Sequence, residues 1–173
     1  SGRSVTSWAM FTPAAAELWR ASLAYIEDAT YYYSKWNGEY PYNHVTAVDG
    51  TISAGGGMEY PNVTVIGNSG SALGLETVIV HEVGHNFFPM IINSDERQWT
   101  WMDEGLNTFV QYLTEKEFDR DYPTRRGAAR DIRNYMGGDK SRISPIMTNS
   151  ESIYQFCNNA YGKPATALNI LRE

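Results

Sequence analysis

Two histidines four residues apart, in the run His81-Glu82-Val83-Gly84-His85, are the residues of this chain best placed to do chemistry. On a helix, side chains at that spacing point the same way, so both imidazoles can grip one metal ion. Glu82 then sits beside the metal but off its ligand axis, where a general base for a metal-activated water belongs. Further along, Asp103-Glu104-Gly105 offers Glu104 as a third ligand. A His-His-Glu set leaves one position of a tetrahedral zinc ion open, so the cofactor expected is one Zn2+ and the reaction class is hydrolysis. Another divalent ion is compatible with the same donors, since affinity order alone does not select zinc.

These groups need helices to hold them. Leu75 to about Phe88 reads as the helix carrying both histidines, stopped by Pro89. A second, starting at Trp101 or Asp103 and running to about Asp119, carries Glu104. Gly84 is unusual inside a helix, where glycine costs about 1 kcal/mol against alanine; close packing of a neighbour would explain it. Upstream, Thr12-Pro13 opens a helix that should end near Trp36-Asn37-Gly38. His44 to Val48 reads as a short strand. Thr51 to Gly57 is a glycine-rich approach to a second, β-branched strand, Asn62 to Gly67, and Asn68 to Gly74 is a turn. Downstream, Pro123 to Tyr135 looks helical, a short helix is expected near Ser150 to Phe156, and a last one runs from about Pro164 to Arg172. Strands come early and helices late, the pattern of an α+β fold.

Composition narrows the partners. The chain has 173 residues, 42% of them apolar and 20% charged, which suits one soluble domain spanning residues 1–173 with a real core. A net charge of −6 with no Lys/Arg stripe argues against nucleic acid. Cys157 is the only cysteine, so there is no internal disulfide framework, and the compartment stays open between cytoplasm and cell envelope. The most apolar stretch, Ala14 to Tyr33, is interrupted by Glu17, Arg20, Glu27 and Asp28, so no membrane insertion is expected. No signal peptide is visible. The opening Ser1-Gly2 reads as a cloning remnant, and an excised domain would hide any targeting segment.

Within H-E-x-x-H proteins, a metzincin would need Gly at position 88 and His at 91, where Phe88 and Ile91 stand. The third ligand therefore comes from further away. The His81 to His85 run, the gap of eighteen residues (86 to 103) and Asp103-Glu104-Gly105-Leu106-Asn107 resemble the gluzincin metallopeptidases of the aminopeptidase N and leukotriene hydrolase family. Upstream, Gly55-Gly56-Gly57-Met58-Glu59-Tyr60 is similar to that family's Gly-x-Met-Glu-Asn exopeptidase motif. Downstream, Tyr161-Gly162-Lys163 is similar to its Tyr-x-Lys-Gly element. The resemblance runs from about Gly55 to Lys163.

It implies a thermolysin-like catalytic domain, with an N-terminal mixed sheet whose edge strand faces the substrate, followed by the zinc-binding helices. His81, His85 and Glu104 would ligate zinc, and Glu82 would be the base. Tyr161 would donate a hydrogen bond to the oxyanion of the tetrahedral intermediate. The only other histidine, His44, lies upstream, so no downstream histidine is available for that role and tyrosine serves. Gly56, Gly57 and Met58 would let a peptide backbone pair along the strand edge. Glu59 would take the substrate's free α-amino group, which makes the expected activity that of an aminopeptidase acting on peptides. Relatives carry flanking N- and C-terminal domains in the same polypeptide, and these are expected here as well.

Three positions depart from the family pattern. Tyr60 replaces Asn, Gln111 stands where a carboxylate often supports a ligand imidazole, and Pro164 replaces the Gly of the last motif. They bear on rate and specificity more than on metal binding. Two other readings stay open: an endopeptidase or oligopeptidase of the same fold in which Glu59 is structural, and a non-catalytic zinc-binding scaffold.

Overall fold

The computed structural model describes residues 3–53 and 55–173, so the opening Ser1-Gly2 and Ala54 of the glycine-rich approach lie outside the described residues. The chain divides into two compact units, one ending at Phe87 and one starting at Phe88.

The first unit is a mixed sheet with two helices. Its strands are β1 (Thr6–Met10), β2 (His44–Asp49), β3 (Gly57–Met58) and β4 (Val63–Ile66), in the order β1-β2-β4-β3. The first three in that order run parallel, and β3 is antiparallel to β4 at the sheet's end. Strands β2 and β4 fall where the β-branched runs predicted them. Strand β1 gave no such signal, because its outward residues are apolar too: Trp8 and Met10 are half-exposed.

Alternation along the strands sorts the two faces. Val45, Ala47, Thr64 and Ile66 are buried, on the face covered by helices α1 (Ser22–Asn37) and α2 (Ala72–Gly84). Ile26, Ala29 and Tyr33 from α1 meet Leu75, Ile79, Val80 and Val83 from α2 in this core. Phe87 closes it, its ring stacked on Tyr33 with centroids 5.8 Å apart. On the other face, Met10, Val48, Val65 and Met58 form one register row across all four strands.

Helix α1 ends at Gly38 as expected but starts later. Pro13–Ala15 form only a single 3-10 turn. Trp19 is buried and its ring meets Phe11 at 5.7 Å, and the docked segment around it does not continue the helix. Helix α2 starts three residues before the expected Leu75, because the Ser71 hydroxyl caps it by accepting from the Gly74 N–H.

The second unit is helical: α3 (Thr100–Phe118), α4 (Ala129–Gly137) and α5 (Lys163–Arg172). Ser150 pins the start of α3, its hydroxyl accepting from the Thr100 N–H at 3.1 Å. Of the helix expected over Ser150 to Phe156, one 3-10 turn forms, Ser150–Ser152. Residues Asn158–Gly162 form a π turn that runs directly into α5. Pro164 gives a physical reason for it: with no N–H, it cannot bond the carbonyl four residues back as a regular α-helix requires. The helix expected from Pro123 is confined to α4, since Gly127 takes a φ of +110° that interrupts it. The described residues contain no helix long and apolar enough to cross a membrane.

Candidate metal and catalytic residues

The first unit gathers His81, His85, Glu82 and Glu59. His81 lies in the last turn of α2 and His85 is its C-cap, still in helical geometry, its N–H bonding the His81 carbonyl at 3.3 Å. Beyond it, i→i−3 bonds from Asn86 to Val83 and from Phe87 to Gly84 tighten the chain before Pro89. Gly84 is therefore the helix's last residue rather than an interior one, and most of the cost expected of it does not arise.

The two Nε2 atoms are 3.2 Å apart, and the rings meet edge-on with centroids at 4.7 Å. Two imidazole nitrogens bound to one tetrahedral zinc stand about 3.4 Å apart, given zinc–nitrogen bonds near 2.05 Å. The pair thus fits a shared ion. Glu59, Glu82 and His85 also each present a ligand-type atom within 4.8 Å of the others, and Glu82 and His85 are buried.

Glycines shape the approach to Glu82. Gly55 and Gly56 have φ of +73° and +76°, a left-handed stretch open to glycine. The Gly56 carbonyl then accepts from the Gly67 N–H at 2.7 Å, tying the loop to the end of β4. Gly57 follows in β3, and a Cβ there would stand 2.3 Å from Glu82 Cγ. Met58 pairs with Val65, and its carbonyl accepts from the Thr64 hydroxyl at 3.1 Å. Tyr60, where the family has Asn, is exposed. Asn62 donates its N–H to Asn86 Oδ1 at 2.9 Å from a φ of +62°. No pattern in the residues around Asn86 marks it as this partner. An Asn following Tyr60-Pro61 in a turn was the one available signal.

The second unit gathers Glu104, Tyr161 and residues that support them. Helix α3 buries an unusually polar face, including Asp103, Glu104, Asn107, Thr108 and Gln111. Gln111 donates to Oε1 of the buried Glu115 at 2.8 Å. Tyr161 lies on the π turn and donates its phenol proton to Glu104 Oε1 at 2.7 Å. Burial, then the Glu104 charge and hydrogen bond, hold this phenol far above the ordinary tyrosine range, and Arg126 draws it partly back. Tyr161 therefore stays a neutral donor. Gly105 makes the contact possible, because a Cβ at that position would stand 2.4 Å from Pro164 Cγ and 3.0 Å from the Ala160 carbonyl.

Two basic residues complete this group. Lys163 donates to the Ser144 carbonyl, and burial lowers its ammonium below the ordinary lysine range. Arg126, within the Pro123 to Tyr135 stretch expected to be helical, instead lies in the loop before α4 with its guanidinium carbon 4.6 Å from the Tyr161 ring centroid.

No known family profile matches the chain, and no curated protein does. Solved structures do. An M1 zinc metallopeptidase from Deinococcus radiodurans is 22% identical, with a TM-score of 0.61 over 87% of this chain and 32% of its own. A yeast LTA4 hydrolase in complex with bestatin is 18% identical, with a TM-score of 0.62 over 99% of this chain and 29% of its own. A two-domain M1 zinc metallopeptidase bound to L-arginine is 18% identical, with a TM-score of 0.59. The chain spans about a third of the length of these structures. Its fold is that of the aminopeptidase N and leukotriene hydrolase gluzincins.

Proposed function

We propose that this chain is the catalytic domain of a zinc aminopeptidase, residues 1–173 acting as one functional piece of a longer polypeptide. The observation that carries the reading is the His81–His85 pair, its Nε2 atoms 3.2 Å apart with the buried Glu82 carboxylate beside them. In this reading His81, His85 and Glu104 hold one zinc ion, which when bound supplies Lewis acidity toward water and a peptide carbonyl. Glu82 takes the proton from the attacking water and delivers it to the departing amine. Tyr161 donates its phenol hydrogen to the oxyanion, exchanging its Glu104 partner for the substrate. Gly57 and Met58 in the end strand β3, with Gly56 just before it, offer backbone for pairing with an extended peptide. Glu59 faces the substrate's ammonium group. A fold relative solved with L-arginine, a free α-amino acid, is in keeping with an exopeptidase.

Glu82→Gln tests the base: hydrolysis of aminoacyl substrates should disappear while metal analysis still finds one zinc per chain. Retained turnover overturns the assignment. Comparing free with N-acetylated peptides tests Glu59, because an aminopeptidase cleaves only the free ones. Equal cleavage of both makes the enzyme an endopeptidase of the same fold.

A further inference from the structure

We infer that Arg126 is a positioning residue for Tyr161, holding the phenol ring by its face so that the hydroxyl is aimed for the reaction. The inference rests on the proposed role of Tyr161 as oxyanion donor.

The contact is built from three sides. First, the guanidinium lies 4.6 Å from the ring centroid, within the range where a cation is attracted to an aromatic face. Arg is suited to this because its planar group stacks as well as attracts. Second, the segment bearing Arg126 is fixed to α3. Gly127 packs so tightly on Tyr112 that a Cβ would stand 2.5 Å from the ring's Cγ, at a φ of +110°. Tyr112 and Glu104 belong to the same helix, so the element that offers Tyr161 its hydrogen-bond partner also anchors the loop that caps its ring. Third, Phe156 meets the Tyr161 ring edge-on at 6.3 Å.

The consequence is an aromatic ring held at its face by Arg126, at an edge by Phe156 and at its hydroxyl by Glu104. When the hydroxyl leaves Glu104 for the substrate, the ring contacts remain and limit where it can go. A cation over the ring also withdraws electron density, which makes the phenol a better hydrogen-bond donor. Both effects act on the transition state and not on substrate affinity, so they belong in kcat. Arg126 touches no reacting atom in this scheme.

The test uses the zinc-loaded chain. Arg126→Ala should lower kcat about fivefold and leave KM within about twofold. Arg126→Lys should recover part of the loss. In a Tyr161→Phe background, Arg126→Ala should have no further effect, as expected of two residues acting as a unit. An equal loss in that background, or a loss confined to KM, overturns the proposal. A second readout is independent of turnover: 3-fluorotyrosine placed at position 161 should change its fluorine resonance on Arg126→Ala, and an unmoved resonance overturns the contact itself. Undiminished turnover in Tyr161→Phe alone overturns the oxyanion role instead, and the fluorine signal distinguishes the two failures.

Discussion

Gly57 and Glu82 occupy each other's space: a Cβ on Gly57 would lie 2.4 Å from both Cδ and Oε1 of the Glu82 carboxyl group. The end strand of the sheet and the carboxylate on α2 are in contact only because position 57 carries no side chain. Gly57→Ala should therefore displace Glu82 rather than disturb the metal. We expect kcat to fall roughly 10- to 100-fold, the scale set by ångström-level misplacement of a reacting group, with zinc content unchanged. The stability loss from overpacking should be about 1–3 kcal/mol. Normal kcat in a folded Gly57→Ala protein would show that Glu82 is not the base.

Gly105 plays a similar part beside Glu104. Its missing Cβ leaves room for Pro164 and the Ala160 carbonyl, and these belong to the turn and helix that carry Tyr161. Gly105→Ala should cost about 1–3 kcal/mol in urea unfolding by overpacking and should weaken the Tyr161–Glu104 hydrogen bond. An unchanged unfolding midpoint would mean that the two segments separate freely.

Metal binding should register as stability. An ion that binds the folded chain and not the unfolded one raises Tm, and the rise grows with the logarithm of free ion concentration above its Kd. Chelation should lower the Tm of the wild type, and zinc should restore it. His81→Ala and His85→Ala should each remove most of that response, because one imidazole no longer shares the ion with the other. A chelator response that survives in both variants would place the metal elsewhere.

Tyr40 gives an alkaline limit to stability. Its ring is buried, and its hydroxyl donates within reach of the His44 carbonyl at 3.1 Å. Burial, followed by Tyr42, raises its pKa above the ordinary phenol value. Above pH of about 10 the unfolded phenol ionises while the folded one keeps its proton, so the unfolded state binds fewer protons and stability falls as pH rises. Below that range the contribution is fully present. Tyr40→Phe should flatten the decline in unfolding free energy above about pH 10, and an unchanged slope would assign the decline to other groups.

How much of this was legible in the sequence varies with the kind of interaction involved. Strands β2 and β4 and the helix bearing His81 and His85 announce themselves through local pattern, and local pattern is what a sequence carries most plainly. Strand β1 does not, since its exposed positions hold Trp8 and Met10 and erase the polar side of the alternation. The His81–His85 pairing follows from helix geometry alone, which is why it could be read directly. The fit of Gly57 to Glu82 and the stacking of Arg126 on Tyr161 join segments 25 and 35 residues apart (82 minus 57; 161 minus 126). Nothing in the residues next to either partner marks such a match. Arg126 lies in the Pro123 to Tyr135 stretch that looks helical, and the left-handed Gly127 that breaks this helix looks from the sequence like any other glycine.

The π turn at Asn158–Gly162 makes the tyrosine's surroundings depend on a count of residues. In such a turn the neighbour one turn back is five positions away rather than four, and Phe156 and Tyr161 are indeed five apart and in ring contact. Removing Asn159 from between them would rotate Phe156 by about 100° relative to α5. Every side chain discussed above would still be present in such a chain, yet Tyr161 would lose its edge-on partner. The length of this segment is thus as much a part of the tyrosine's setting as the identity of any residue in it.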